Sequence, residues 1–517
     1  MSTSTEDLNN KLGANAGGTV LDHPSGLFIL FFTEMWERFS YYGMRALLVL
    51  FLITALDEGG WGWSRENAGI LYAWYTSLVY LTPVIGGWLA DKFLGFKSAV
   101  VLGALLMTLG HASLAFETQF SFYLGLVLLI IGNGFFKPNI SSMVGGLYTD
   151  DKKKDGAYTI FYMGINAGAF LGIMLCGYVG ETQGWSYGFG LAGIFMFFGL
   201  LQFYFAKSLF GANGDKPVVN SALDQDIKPQ NLTHVEKDRL LVIGVLALFV
   251  IVFWWAFEQA GSSMTIFAKD YTDRMLTGSS ATIYIWVNFF LTVVPILIVT
   301  GVLALLFKQT FKLVPLSNIF LGTSFAIIWA IIIWKISNEF SSSTEIEVPA
   351  SWFGILNSFF IITMAPLFSK IWETKYNPSG PVKFALGLVF LGIGFGFLAY
   401  GAAGITTGAS TAAVSMFWLI AAYFFHTVGE LCLSPVGLAY VSKLSPKRLV
   451  GLMFGVWFLS NFVAHLVAGY TAASIDAINA AWGLSGFFML FTAIPIGAGV
   501  LMLLLTPFLK KRMHGIH

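Results

Sequence analysis

The chain has 517 residues, of which 56% are hydrophobic and only 11% charged, against about 45–50% and 25% in soluble proteins. Charges this sparse do not coat three or four soluble domains; 50 Phe, 16 Trp and a mean hydropathy of +0.73 describe a surface that meets hydrocarbon. The balance of 29 Lys+Arg against 28 Asp+Glu excludes a basic nucleic-acid binder, and the composition excludes both a disordered chain and a disulfide-rich secreted domain.

Residues 1–26 read as a polar tail without the basic-then-apolar pattern of a signal peptide, so the first helix is expected to be retained. Uninterrupted apolar length predicts helices near 27–53, 66–90, 96–117, 120–146, 157–180 and 187–209. A polar linker near 210–239 follows. A second group is predicted at 240–268, 281–307, 313–337, 351–372, 381–402, 412–442, 449–474 and 482–508, ahead of a basic tail at 509–517. About 14 apolar helices make an all-α polytopic membrane protein; strands of a β-barrel would be about 10 residues of alternating polarity. Cys176 and Cys432 lie in apolar stretches and read as small buried hydrophobes.

An even number of spans puts both termini on one side. Placing them inside gives that face about 22 of the Lys and Arg residues, among them Lys152, Lys443, Lys447, Arg448 and Lys510, as the positive-inside rule requires. Arg65, Lys269, Arg274 and Lys335 are left outside. Arg38, Arg45 and Lys137 then fall within spans, joined by Glu34, Glu37, Glu258 and Glu430. Each such charge costs at least about 2.5–3.5 kcal/mol at a helix centre, so these residues are expected to pair, line a polar cavity and mark an ion or substrate path. Structural packing alone needs fewer charges and has Ser or Thr at its disposal.

At 100° per residue, Glu34, Glu37, Arg38, Tyr41, Tyr42 and Arg45 share an arc of roughly 140°. The opposite side offers Phe32, Phe39, Ala46, Val49 and Leu50 to lipid or neighbouring helices. In the fourth span, Lys137 precedes Pro138, which removes a ladder donor and biases Lys137 towards an extended or kinked geometry. Glu430 stands before Pro435. His426, four residues from Glu430, fits a relay or, as the commoner role, a packed core residue; His111 and His465 read as structural. No His/Cys/Asp group shows metal-ligand spacing along the chain, and no nucleophile constellation or cofactor motif appears, so neither a metal site nor an enzyme is expected.

The segment Gly86-Gly87-Trp88-Leu89-Ala90-Asp91-Lys92-Phe93-Leu94-Gly95-Phe96-Lys97 resembles the GGxLADxxxGxK signature of the major facilitator superfamily. Its glycines would let helices approach closely, and Asp91 could cap a helix N-terminus. Glu34-Met-Trp-Glu37-Arg38-Phe39-Ser40-Tyr41-Tyr42-Gly43 is similar to the ExxERFxYYG motif of proton-dependent oligopeptide transporters (the POT or PTR family). Gly132–Tyr148 and Phe161–Gly168 resemble that family's other two signatures, and further likeness surrounds Glu258, Asn357, Glu430 and Trp457.

The resemblance implies two six-helix bundles, 27–209 and 240–508, rocking about a midplane site. It implies a proton-coupled symporter importing di- and tripeptides in a bacterial inner membrane, with protons as coupling ion, lipids as surroundings, no cofactor and a monomer as the working unit. Nitrate or another small metabolite is the alternative cargo, although a carboxylate facing an anion would repel it. A channel would not require opposed charge pairs. By the same resemblance Glu34, Glu37, Arg38 and Glu258 couple protons, and Arg45 with Glu258 and Lys137 with Glu430 form gating pairs. Glu430, Asn166 and Asn357 would take the peptide's amino end, and Arg45, Lys137 and Tyr42 its carboxylate. Tyr80, Trp254, Phe257 and Trp457 would line side-chain pockets.

Two departures stand out. Animal members carry a His seven residues before the position of Tyr80, where this chain has Ala73, so coupling falls on Glu34, Glu37 and Glu258. The added helix pair of 14-helix members usually lies between the sixth and seventh family helices; here it is expected near 281–337, beside the bundle and without mid-span charge.

Overall fold

The computed structural model describes residues 18–216, 232–341, 345–374, 377–446 and 449–516. Lys447, Arg448, most of the N-terminal tail and most of the 210–239 linker lie outside the described residues, as do the side chains of Lys152 and Pro435. Fourteen long helices carry the described chain: α1 Ser25–Ile53, α2 Arg65–Leu89, α3 Phe96–Leu114, α4 Gln119–Gly145, α5 Asp151–Gln183, α6 Trp185–Ala206 and α7 His234–Phe257. They continue with α8 Gly278–Thr310, α9 Pro315–Ser341, α10 Ile355–Trp372, α11 Gly380–Gly401, α12 Phe417–Leu444, α13 Val450–Ala473 and α14 Ile475–Arg512. Thirteen segments hold a window apolar enough to cross a membrane. The remaining helix, α1, has 29 residues, about 43 Å at 1.5 Å per residue, and its apolar run is interrupted by Glu34, Glu37, Arg38 and Arg45. The predicted multi-pass, all-helical architecture is the observed one.

Helix starts are where apolar length misleads. Helix α7 begins at His234 rather than 240 because Thr233 and Glu236 form a capping box, with Thr233 N–H donating to Glu236 Oε2 at 2.8 Å and Glu236 N–H to Thr233 Oγ1 at 3.2 Å. Helix α5 likewise takes in a polar first turn from Asp151. Helix α14 starts at Ile475 and changes direction at Gly483, whose φ of 73° is open to glycine. The extended geometry expected at Lys137 is absent, since α4 stays helical through Pro138. Asp91 is exposed and α3 has no side-chain cap, its N-cap being Gly95 at φ 76°, so the expected cap is not made.

The contacts divide the chain into two compact units: residues 1–47, 82–217 and 274–355, and residues 48–81, 218–273 and 356–517. In the first, a stripe of small residues on α5 receives α1. Gly164 meets Phe31, Gly168 meets the Met35 carbonyl, Gly172 the Phe39 carbonyl, Cys176 meets Gly43 and Gly180 meets Leu47. Both series advance by four residues, so the helices run alongside each other with one small residue per turn at the seam. Gly86 of α2 meets the Gly134 carbonyl of α4 in the same manner. Phe39 and Trp36 pack on Phe195 of α6, with centroids 4.5 and 4.8 Å apart. The aromatic side of α1 therefore meets protein rather than lipid.

The added pair, α8 and α9, belongs to this first unit, although the sequence inserts it among helices of the second. Phe325 of α9 lies edge-on to Phe32 and Trp36 at 5.6 and 5.5 Å. Ser317 Oγ donates to the Gln202 carbonyl at 2.8 Å, and Gln202 Nε2 donates to the Ile29 carbonyl at 2.9 Å, linking α9 through α6 to α1. Neither helix of the pair carries a charge at mid-span, and one ion pair sits near the end of α9. Lys335, counted among the outer loop cations, is 2% exposed and pairs with Glu339 at 2.7 Å. Asn288 Nδ2 donates to both Glu339 oxygens at 2.8 and 2.9 Å.

In the second unit Gly69 and Ala73 of α2 pack against Ala473 and Gly469 of α13. Arg65 holds Asp270 and Asp476 at 2.6 Å each and donates to the Ser410 carbonyl at 3.0 Å, while Lys269 donates to Thr54 Oγ1 at 2.7 Å. In the first unit Arg274 lies 2.7 Å from Glu347, so each of the four cations predicted for the outer face has an ion-pair or hydrogen-bond partner. Cys176 and Cys432 are free and buried, as expected. Replacing Gly172 by Val drives a side chain into the Phe39 carbonyl; the expected cost is about 1–3 kcal/mol, read as a lowered unfolding midpoint in detergent, and an unchanged midpoint would refute the tight seam.

Candidate functional site

The motif residues of α1 gather into one buried cluster in the first unit. Glu34, Glu37 and Arg38 are 2%, 0% and 3% exposed. Arg38 Nε donates to Glu34 Oε1 at 2.7 Å, and Glu37 Oε2 lies 2.8 Å from the same nitrogen. One N–H cannot point at two oxygens. Glu34 Oε2, Glu37 Oε2 and Arg38 Nη2 are accordingly buried without a hydrogen bond, although Asn133 Nδ2 donates to Glu37 Oε1 at 3.2 Å. Two carboxylates competing for one guanidinium form an arrangement that a proton on either carboxyl group would relieve. Lys137 on α4 stands within electrostatic reach of Glu37. Asn133, one turn before Lys137, was missed in the sequence although it lies within the quoted motif.

Tyr42, Arg45 and Lys137 are half-buried and Asn166 is buried, all in the first unit. Asn166 Nδ2 donates back to the Tyr162 carbonyl at 3.0 Å, which leaves its Oδ1 as an acceptor.

The second unit holds the other predicted residues. Asn357 Nδ2 donates to Glu430 Oε2 at 2.9 Å and to Thr427 Oγ1 at 3.1 Å. Glu258, 3% exposed, ends α7, and its Oε1 lies 3.2 Å from His465 Nε2. Tyr80 covers that imidazole with ring centroids 4.2 Å apart. Trp254 and Phe257 are half-buried and edge-on at 5.2 Å, whereas Trp457 is only 5% exposed, wedged against Gly437 and Phe384.

The histidines divide unexpectedly. His426 packs against Phe395, with ring centroids 4.3 Å apart and planes tilted by 36°, and neither of its ring nitrogens is hydrogen-bonded, so the packed role holds and the relay to Glu430 is not formed. His111 is buried in the same state. His465, read as structural, instead faces a carboxylate. Nothing in its local sequence announces this, because Glu258 is some two hundred residues away.

One group of metal-ligand type is brought together by the fold and not by spacing along the chain. His234, Asp238 and His514 bring ligand atoms within 4.8 Å of one another. His514 Nε2 is 2.8 Å from Asp238 Oδ2, and Arg512 already neutralises the same carboxylate, so the group is an ion network tying the end of α14 to the start of α7.

Paired charges buried in the helices of a multi-pass bundle are what a membrane transporter requires, and the relatives of this chain are transporters. Residues 97–232 and 323–487 match the sequence model of the POT family. The uncharacterized transporter YclF of Bacillus subtilis (strain 168) is 34% identical over 516 residues, with 96% of each chain covered. A di-/tripeptide transporter of Lactococcus lactis subsp. lactis is 32% identical over 524 residues, covering 95% of this chain and 97% of the relative. A crystal structure of a peptide transporter POT in complex with alafosfalin matches with a TM-score of 0.77 at 27% identity, covering 99% of this chain and 100% of that one. The chain belongs to the POT family.

Arg38→Met leaves two buried carboxylates without their cation and is expected to cost about 3–5 kcal/mol. Adding Glu34→Gln and Glu37→Gln should restore most of the lost unfolding midpoint; no recovery in the triple variant would show that the three residues are not one electrostatic unit.

Proposed function

We propose that the chain is a proton-coupled symporter that imports di- and tripeptides by alternating access. The observation that carries this reading is the single guanidinium of Arg38 shared between Glu34 and Glu37, inside the motif that marks the family. A proton on either carboxyl group ends the competition for Arg38 and removes the surplus negative charge within reach of Lys137, so proton binding changes the pairing that holds the first unit's polar cluster. Family membership and the named di-/tripeptide relatives support a peptide cargo.

In this reading Arg45, Lys137 and Tyr42 receive the peptide carboxylate. Glu430, Asn357 and the Oδ1 of Asn166 receive the ammonium, which needs acceptors only. Tyr80, Trp254 and Phe257 form walls that select by size more than by hydrogen bonding, with Trp457 backing them. Arg45 with Glu258 and Lys137 with Glu430 alternate as gating pairs while the bundles 27–209 and 240–508 rock. The protein works as a monomer in a bacterial inner membrane, with both termini on the cytoplasmic side.

Uptake of labelled dialanine into proteoliposomes tests the proposal. Accumulation above the outside concentration is expected with an inward proton gradient and not without it, and unlabelled dipeptides should compete. Glu37→Gln or Lys137→Gln should abolish the uphill component; wild-type accumulation in either variant would remove that residue from the coupling scheme. A folded wild type that moves no dipeptide would overturn the cargo assignment.

A further inference from the structure

Within the second unit, His465 meets Glu258 in a geometry that demands a proton. His465 is 1% exposed on α13, and its Nδ1 lies 2.8 Å from the Asn461 carbonyl. A carbonyl only accepts, so Nδ1 carries the hydrogen and a neutral ring presents a lone pair at Nε2. That lone pair faces Glu258 Oε1 at 3.2 Å. Among the described residues Nε2 has no hydrogen bond, and its approach to the carboxylate is that of an ion pair.

A lone pair and a carboxylate oxygen repel at this distance in a buried site unless one proton lies with the pair. The groups facing the pair come from three elements. The Tyr80 ring lies over the imidazole, with centroids 4.2 Å apart and planes tilted by 40°. From α12, Glu430 acts electrostatically on Glu258 and adds negative charge nearby, while the Tyr423 hydroxyl is turned to the Ala260 carbonyl at 3.4 Å. Asp476, the acidic residue in the first turn of α14, is taken by Arg65.

We propose that His465 is the proton partner of Glu258: the two hold one proton, which passes from the Glu258 carboxyl oxygen to His465 Nε2 and back during the transport cycle. Transfer leaves a carboxylate and an imidazolium, and return leaves a neutral carboxylic acid and a neutral imidazole, so no other co-reactant is needed. His465 is thereby a coupling residue contributed by α13, on the opposite side of the sequence from the α1 cluster.

The inference rests on the symport reading above, and the test separates the two. Wild type, His465→Gln and His465→Asn are compared for gradient-driven dialanine accumulation and for equilibrium exchange of labelled against unlabelled dialanine without a gradient. A proton partner predicts that accumulation falls about tenfold or more while exchange keeps most of its rate. A packing role lowers both modes together. Accumulation equal to wild type in either variant, equal loss of both modes in both variants, or failure of both to fold overturns the assignment of His465. A wild type that accumulates no dipeptide overturns the symport reading, and this inference with it.

Discussion

A charged side chain is tolerated at membrane depth only when protein surrounds it and an opposite charge meets it. Arg38, between Glu34 and Glu37, imposes that condition on α1, and much of the first unit follows from it. No residue of α1 is exposed. Enclosing it requires neighbours at backbone distance, which the four-residue stripe of small side chains on α5 supplies, and neighbours that fill the space on the far side, which Phe195 and Phe325 supply. The cluster is enclosed but under-satisfied: one oxygen of each carboxylate and the Nη2 of Arg38 are buried without a hydrogen bond. Such a shortfall is costly in a purely structural ion pair and useful in one that must change its proton count.

The same logic recurs with different partners wherever charge is taken out of water. Lys335 and Glu339 are paired and completed by Asn288, so this group has its hydrogen bonds and reads as a fixed joint. Glu181 accepts from the backbone N–H groups of Ala350 and Ser351 at 2.7 and 2.9 Å, another satisfied joint. Glu258 and His465 present a lone pair to a carboxylate instead. Matching hydrogens to acceptors marks the Lys335 and Glu181 groups as joints that hold the structure, which burial alone does not.

Hydropathy was sufficient for the number and order of the helices because a span must be long and apolar whatever it packs against. The charges of α1 and the Pro-flanked Lys137 were legible for the complementary reason that they violate that rule. Polar first turns were not legible by that criterion, as at His234, where a capping box and not apolarity starts the helix. The small-residue stripe on α5 is visible as Gly164, Gly168 and Gly172, but a spacing does not name its partner, and only the fold identifies α1. His465 and the Asp238 network depend on residues more than two hundred positions apart, which no local pattern connects. Trp457 and His426 show the converse: an aromatic or imidazole beside a motif is packed into the core more often than it faces a ligand.

The placement of α9 also bears on how the protein is made. Its Phe325 closes over Trp36 and Phe32, yet Pro315 is synthesised about 110 residues after α6 ends at Ala206, roughly 5–20 s later at the usual 5–20 residues per second. During that interval the aromatic flank of α1 and the Gln202 carbonyl on α6 have no α9 against them. Lipid tails, the insertion machinery or a chaperone must cover that flank until the ribosome has delivered the hairpin, so the first unit finishes assembling only after the first helix of the second half has left the exit tunnel.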